Sequence, residues 1–424
     1  MAIRVLIRSV LAAFLIFQSA QAGPETLDSL IQTALKSNAS LIAAQSRYQA
    51  MRHEAKAAGA LPDPAFTISA MDLPRKTLSL TEMEMSGISV GMSQTIPWPG
   101  MLAAKSRYSK FTAEAEGAEA NSRRNSLVRK IKHFYYEYSY WSFAENVVSD
   151  NIKLSEDIIT YMETRYGNGG GSLEEVASAR VSKSEMIDHR LHFKEQRRAA
   201  FYMLKQLVND TSWADTTLAP FMTVSIDSIS QELPDYTRNP EMVGAAARSE
   251  AANAKLSLAK SEYWPEFMIG ADYLIRKYDT SHVNAGHMLP GEDIWSFHFG
   301  FTLPLWFFAK QKKMTTAAKF EIESARADER AVDVELKQSI REAQLMLKSL
   351  AERTRHFQMS IIPLSETAYN SAHVAYEVGQ IDFQSLLEDQ IKVYESKLDH
   401  IEIVKEYHQT KAYLDELIGL EYGG

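Results

Sequence analysis

Two periodicities alternate along the chain. Residues 87–96 set Ile88, Val90, Met92 and Ile96 on one face and Ser89, Gly91, Ser93 and Thr95 on the other, a period of two that predicts a strand. Residues 295–303 repeat it with Trp295, Phe297, Phe299, Phe301 and Leu303 against Ser296, His298, Gly300 and Thr302. Residues 266–276 alternate Phe267, Ile269, Ala271, Tyr273 and Ile275 with Met268, Gly270, Asp272, Leu274 and Arg276, and residues 65–71 are a weaker version with Phe66 and Ile68 outward. The second period is helical. From Ala103 to Arg165 only Gly117 interrupts it, which predicts a helix on the order of 100 Å if continuous. Within it Leu127, Ile131, Phe134, Tyr138, Trp141 and Val148 fall on heptad a/d steps, and Leu336, Ile340, Ala343, Leu347 and Leu350 do the same later. The aromatic run HFYYEYSYW (133–141) follows that heptad, so it is expected in a core rather than as a stacking surface.

Each long helical stretch ends in a turn, RYGNGGGSLEEV (165–176) and AYEVGQIDFQSLL (375–387). Gly169 and Gly379 are expected as left-handed caps, and Ser172 and Asp382 as N-caps of the returning helices. GNGGG lacks the strand before it and the Lys-Ser/Thr after it that a phosphate-cradling loop requires. The two turns also belong to a wider repeat. Asn38-Ala39 lies over Asn239-Pro240, PAFTISAM (64–71) over PEFMIGAD (265–272), Gly91 over Gly300, Tyr166 over Tyr376 and Gly169 over Gly379. Five elements keep their order, so the chain reads as a duplicated unit of helix, strand, strand, long helix, glycine turn and helix. The first copy spans 23–210 and the second 238–420, with a polar connector at 211–237 and a short tail at 421–424.

Composition narrows the setting. Arg4 and Arg8, the apolar run Val10–Phe17 and Ala20-Gln21-Ala22 predict a signal peptide over 1–22, cleaved before Gly23. The sequence has no cysteine, which excludes disulfides, thiolate metal sites, cysteine nucleophiles and lipid attachment as a lipoprotein. A formal charge of -8 without basic runs argues against nucleic acid.

The alternating strands fit a soluble half-buried sheet or a membrane sheet equally well by period. Length tips the balance, because about 9–11 residues cross a bilayer when tilted. Aromatics load the apolar face as in an interfacial girdle, and the opposite face carries Ser, Asp, Arg and His. Four strands cannot close a barrel, and open edges are not tolerated in lipid. Oligomerisation is therefore a requirement of the membrane reading.

The signal peptide, the duplicated unit and the paired Y-x-x-G turns together resemble the TolC family of outer-membrane efflux channels, over essentially the whole mature chain. LPDPAFTISAMDLP followed by GMSQTIPWPG is similar to the heavy-metal and cation efflux branch. Gln94, Pro97, Trp98, Pro99 and Gly100 match that branch's junction motif, while Met101 stands where lysine is usual. The resemblance implies a mainly α fold with a membrane β-barrel portion: long antiparallel coiled-coil helices forming an α-barrel tunnel, and four strands per chain completing a twelve-stranded barrel in a homotrimer. It implies an outer-membrane location with a long periplasmic part in a Gram-negative cell. Its implied partners are outer-membrane lipid, a periplasmic adaptor and an inner-membrane pump of RND type. Pro97, Trp98, Pro99 and Gly100, with Pro304 and Trp306, would mark where membrane strand becomes tunnel helix. Tyr166, Gly169, Tyr376 and Gly379 would form the tip that docks the adaptor. Glu388 takes a position of the family's acidic constriction, Ser385 stands where another acid can occur, and Asp382 and Asp389 are neighbours able to substitute.

No catalytic constellation and no cofactor site emerge, so the chain is not expected to be an enzyme. His282 and His287, near Asp279, Met288 and Asp293, lie in a polar loop without metal-site spacing, and His298 on the polar strand face needs no metal. Met83, Met85 and Met92 could outline a soft-metal path, but Met92 belongs to the apolar face. Metal-cation efflux leads, with a channel for drugs or organic solutes beside it and a secreted coiled-coil structural or adhesive protein as the alternative of another class. The channel reading predicts recovery in the outer-membrane fraction as a heat-modifiable trimer; extraction without detergent would favour the secreted protein.

Overall fold

The computed structural model describes residues 26–80, 83, 85–209, 218, 220, 232–276 and 293–420. The signal segment, most of the connector, the loop histidines His282 and His287 and the tail 421–424 lie outside the described residues. The elements are α1 (Leu27–Ser37), α2 (Ala39–Ala57), β1 (Ala65–Met71), β2 (Gly87–Ile96), α3 (Met101–Gly167), α4 (Leu173–Val208), α5 (Pro240–Ser261), β3 (Phe267–Arg276), β4 (Ile294–Phe301), α6 (Gln311–His356), a π turn (Phe357–Ile361), α7 (Ile362–Glu377) and α8 (Phe383–Leu417). Helix, strand pair, long helix, turn and returning helix thus occur twice in order. Among the described residues no helix is long and apolar enough to cross a membrane.

The chain divides into two compact units, each drawing on both halves of the sequence. The first comprises Met1–Ala44, Ala120–Pro240 and Asp333–Gly424. Its largest core joins Leu30, Leu41, Ile131, Tyr138, Phe201, Leu204 and Val208 from α1, α2, α3 and α4. The heptad positions Leu127, Ile131, Tyr138 and Val148 are buried, as are Leu336, Ile340, Ala343, Leu347 and Leu350. In the aromatic run Tyr135 and Tyr140 are buried as well, so more than one face of α3 is packed here. Tyr140 lies beneath the Lys405 ammonium, 4.4 Å from its ring centroid, and Lys405 also faces Glu402 and Glu137 at 3.4 and 3.8 Å. A buried cation is tolerable only with such partners.

The repeated asparagines play equivalent parts. Asn38 Nδ2 donates to the carbonyl of Leu207 at the end of α4, while its Oδ1 accepts from the Leu41 amide and caps α2. Asn239 Nδ2 donates to the carbonyl of Leu417 at the end of α8 at 2.8 Å, just before Pro240 opens α5. Each amide therefore satisfies a last-turn carbonyl of its own half's returning helix, which that helix cannot satisfy internally.

The second unit comprises Gln45–Glu119 and Glu241–Val332. Among the described residues its four strands form one antiparallel sheet in the order β1-β2-β3-β4. β2 and β3 pair along their full lengths, from Gly87 opposite Arg276 to Ile96 opposite Phe267. Directly opposed residues share a face, so Ile68, Val90, Tyr273 and Trp295 form one apolar row and Thr67, Gly91, Asp272 and Ser296 a polar one. Helix α3 tolerates Gly117 because a Cβ there would come within 2.7 Å of the Tyr48 ring of α2.

One detail is new and two expectations need correction. Within the second long helix Pro363 cannot donate and would crowd the preceding turn, and the backbone widens just before it, the Ile362 amide bonding back to Phe357. The first helix is split at Asn38, whose side chain is engaged in capping. Strand β4 ends at Phe301 rather than at 303, because Pro304 closes the ladder.

Burial holds the His133 imidazole below its usual value, with Arg129 and Lys405 adding to the effect and Glu137 opposing it. Burial does the same to His400. The unfolded chain then takes up protons that the folded chain refuses. Stability is full above the ordinary imidazole range and falls as pH drops through it. The melting temperature should be lower at pH about 5.5 than at pH about 7.5, and the double variant His133→Gln/His400→Gln should flatten that dependence.

Candidate functional site

Three places carry the candidate residues: the two glycine turns, the first turns of α8, and the strand-to-helix junctions. The turns lie together in the first unit. α3 ends with Gly169 at φ +81, its amide bonded to Tyr166 O, and the Gly170 amide bonded to Arg165 O. α7 ends the same way, with Gly379 at φ +74, its amide bonded to Tyr376 O, and the Gln380 amide to Ala375 O. Both are left-handed caps that close the last carbonyls, a conformation that favours glycine. Ser172 and Glu175 then form a reciprocal capping box at the start of α4. Asp382 caps α8 by accepting the Ser385 amide at 2.9 Å, and that hydrogen bond is the leading cause holding its carboxyl below the usual carboxylate range.

The paired tyrosines occupy different environments. Tyr376 is 3% exposed and packs with Ile158, Met162, Val176, Phe383 and Leu386. Arg165 stacks over its ring at 5.5 Å. Tyr166 is 46% exposed. The apolar cluster beneath the two turns is therefore shared between them, with Tyr376 at its centre and Tyr166 free for contact.

The acids of α8 are also unequal. The Asp382 carboxylate is occupied by its cap, and Asp389 is half-buried beside Lys392 at 3.4 Å. Glu388 is exposed and accepts a long hydrogen bond from Gln384. Two residues on, Gln390, 2% exposed, donates from Nε2 to Asn151 Oδ1 at 2.8 Å and Ser155 Oγ at 3.0 Å. This polar node was not anticipated. Its signal was available: Gln390 falls between Phe383, Leu386 and Tyr394 on an otherwise apolar heptad seam, where a polar residue specifies register.

The junctions lie in the second unit. Pro97 is buried, Pro99 and Gly100 exposed, and Gly100 at φ +95 turns the chain into α3, its carbonyl accepting from Ala104. Trp98 stacks on Trp264 at 4.4 Å with the planes 10° apart. Gln94, on the apolar row, spends its amide on the carbonyls of Pro62 and Thr95 where the β1 ladder has ended. The second junction is looser. After Pro304 a turn over 305–310 intervenes before α6 begins at Gln311, and Trp306 is 77% exposed. Neither Pro99 nor Pro304 is the first residue of its helix; the two helices begin at Met101 and Gln311. A cleft of about 930 Å³ lies between the junctions, with Leu61, Pro97, Lys105, Trp264, Pro304 and Lys310 among its walls.

The sheet itself is unusual in what it exposes. Phe66, Met92 and Phe297 are 67%, 61% and 81% exposed on the apolar face. On the polar face His298 Nδ1 stands 3.0 Å from Asp272 Oδ2. Among the described residues no cluster of three or more His, Asp or Glu is arranged to hold a metal ion.

Comparison with known proteins adds four findings. The sequence profile described as outer membrane efflux protein matches residues 30–210 and 236–420. An uncharacterised protein of Haemophilus influenzae is 23% identical over 252 residues, covering 58% of this chain and 55% of that protein, so the match spans about half of that relative. The cobalt-zinc-cadmium resistance protein CzcC of Cupriavidus metallidurans is 19% identical over 416 residues, covering 95% of this chain and 92% of that protein. In fold the chain is similar to the outer membrane protein VceC of Vibrio cholerae, with TM-score 0.78 and 17% identity over 94% of this chain and 97% of that one.

Truncating Tyr376 to Ala should destabilise the first unit by about 2–4 kcal/mol, the cost of a large cavity. Tyr166→Ala should cost less than about 0.5 kcal/mol. Chemical denaturation of the two variants beside the parent chain measures the contrast.

Proposed function

This chain belongs to the outer membrane efflux protein family, and from that premise we propose that it forms, as a homotrimer, the outer-membrane channel of a tripartite efflux system. Conduction is passive. The observation that carries the reading is the sheet: four strands with two edges and an exposed aromatic face. In water such a face is a liability, whereas in lipid it is the outer wall of a barrel. Three copies pairing β1 of one chain with β4 of the next would close twelve strands and leave no edge. The internal duplication is supported by the equivalent parts of Asn38 and Asn239.

The helical elements would continue the barrel as a periplasmic tunnel ending at the two glycine turns. There Tyr166 and the turn backbones at Gly169 and Gly379 would meet the adaptor, with Tyr376 as the internal prop. An adaptor and an inner-membrane pump of RND type complete the system. Of Asp382, Glu388 and Asp389, Glu388 is the one left to ring the constriction, and three copies would favour cations there. Heavy-metal cations are the proposed cargo, supported by the relationship to a cobalt-zinc-cadmium resistance protein. Selection among solutes rests with the pump, so metal and drug sensitivity of a deletion strain separates this cargo from an organic one.

Purified protein should give stepwise conductance in planar bilayers. Phe297→Arg, on the face assigned to lipid, should cost about 2–4 kcal/mol if it sits near the midplane and abolish trimer assembly. Ser296→Arg, one residue away on the opposite face, should assemble and conduct. Equal tolerance of both substitutions, or a conducting Phe297→Arg channel, would refute the barrel.

A further inference from the structure

The polar face of the sheet holds one arrangement that no part of the proposed function uses. Asp272 and His298 meet there, Oδ2 to Nδ1 at 3.0 Å, with both side chains partly exposed. Their positions depend on two glycines. Asp272 lies opposite Gly91 of β2, where a Cβ would stand 1.9 Å from Asp272 Oδ1. His298 lies opposite Gly270 of β3, where a Cβ would stand 2.1 Å from His298 Nε2. Neither side chain could lie as it does if its neighbour carried any side chain at all. The glycines thus clear a floor on which a carboxylate and an imidazole rest against the sheet.

The surroundings leave the carboxylate's charge exposed to whatever passes. The same row on β1 and β2 supplies Thr67, Ser69, Ser89 and Ser93, and β4 supplies Ser296, none of them charged. The charged neighbours in the row are Glu266, just before β3, and Arg276, at its end. Nδ1 of His298, within hydrogen-bonding distance of Oδ2, holds the carboxylate in place. Two donors fall short of a metal chelate, and His298 Nε2 faces the Gly270 backbone. What remains is a fixed negative charge held on a wall.

We propose that Asp272, held by His298 over the cleared floor at Gly91 and Gly270, is a selectivity-determining carboxylate of the barrel lumen that favours small cations over anions. The inference rests on the reading of the polar face as the lumen. Repeated in each copy, it gives a ring of fixed charge at one height of the pore, of the kind that biases ion passage. His298 is a positioning residue, with no contact of its own required with the permeating ion.

The test is the reversal potential of single channels in planar bilayers under a potassium chloride gradient, at mildly alkaline pH. The parent channel should prefer potassium. Asp272→Asn should lower the cation-to-anion permeability ratio by roughly twofold or more at about 0.1 M salt. The difference should vanish near 1 M, where the screening length is only about 3 Å. Asp272→Glu should keep the preference. His298→Asn and Gly91→Ala, which release or displace the carboxylate, should each lose part of it and carry the test should Asp272→Asn fail to assemble. A pair that only stabilises the sheet would change melting without moving the ratio. Conducting variants with an unchanged ratio overturn the inference and leave the channel standing. Absence of any conductance by the parent protein would instead defeat the lumen reading beneath it.

Discussion

The backbone of the sheet sets the terms for the rest of the molecule. β1 and β4 stand at the edges of a four-stranded sheet, and a strand edge is a row of donors and acceptors awaiting another strand. Soluble proteins blunt such edges with charge, proline or a covering helix. Here the flanking surface is the opposite of blunt, with Phe66, Phe297, Phe299 and Trp295 all exposed. The apolar face asks for lipid, and lipid in turn forbids open edges. On the proposed reading both demands are met together when other copies complete the sheet. Membership of the outer membrane efflux protein family and the proposed trimer are thus linked by the same hydrogen-bonding requirement.

The helical unit answers a different need, that of holding two similar hairpins in one register. Apolar seams fix depth poorly, since one layer of Leu or Ile resembles the next. The Gln390, Asn151 and Ser155 node and the Lys405, Tyr140 and Glu137 group break that degeneracy, because each would leave buried polar atoms unpaired after a slip. The two turns at the end of the unit share one core, so Tyr376 belongs to the interior although its counterpart Tyr166 does not. Duplicated sequence has acquired unequal roles.

Much of this was legible in the sequence, and the pattern of success has physical causes. Strands over 65–71 and 87–96 were readable to the residue because a period of two bounded by Pro64, Pro97 and glycine leaves no competing element. α3 was readable because nothing within it but Gly117 opposes a helix, and the caps at Gly169 and Gly379 because few residues adopt their conformation. The π turn before Pro363 was missed, since a single proline within a strong heptad gives no sign whether the helix will end or adapt. The split at Asn38 was missed although its cap on the Leu41 amide is local, because the contact that fixes the side chain there, with the Leu207 carbonyl, is distant in sequence. Of the candidate site, the positions of the tyrosines were legible and their burial was not. Burial is decided by which seams meet, and no local pattern encodes that.

The two junctions show how one sequence device yields different outcomes. At the first, Trp98 finds Trp264 and Gln94 finds the Pro62 carbonyl, so the exit from β2 is pinned by aromatic stacking and a satisfied edge. At the second, Leu305, Trp306 and Phe308 follow β4, a strand at the sheet edge with no further strand beyond it among the described residues. They remain 70%, 77% and 68% exposed. Stacking cannot pin a ring that has no neighbour on one side. On the trimer reading that side is where the next copy's β1 begins and where the apolar wall meets the headgroups, an environment suited to tryptophan with its apolar body and single donor. The looseness of the second junction is then a property of the isolated chain, and its order should come from the same closure that satisfies the strand edges.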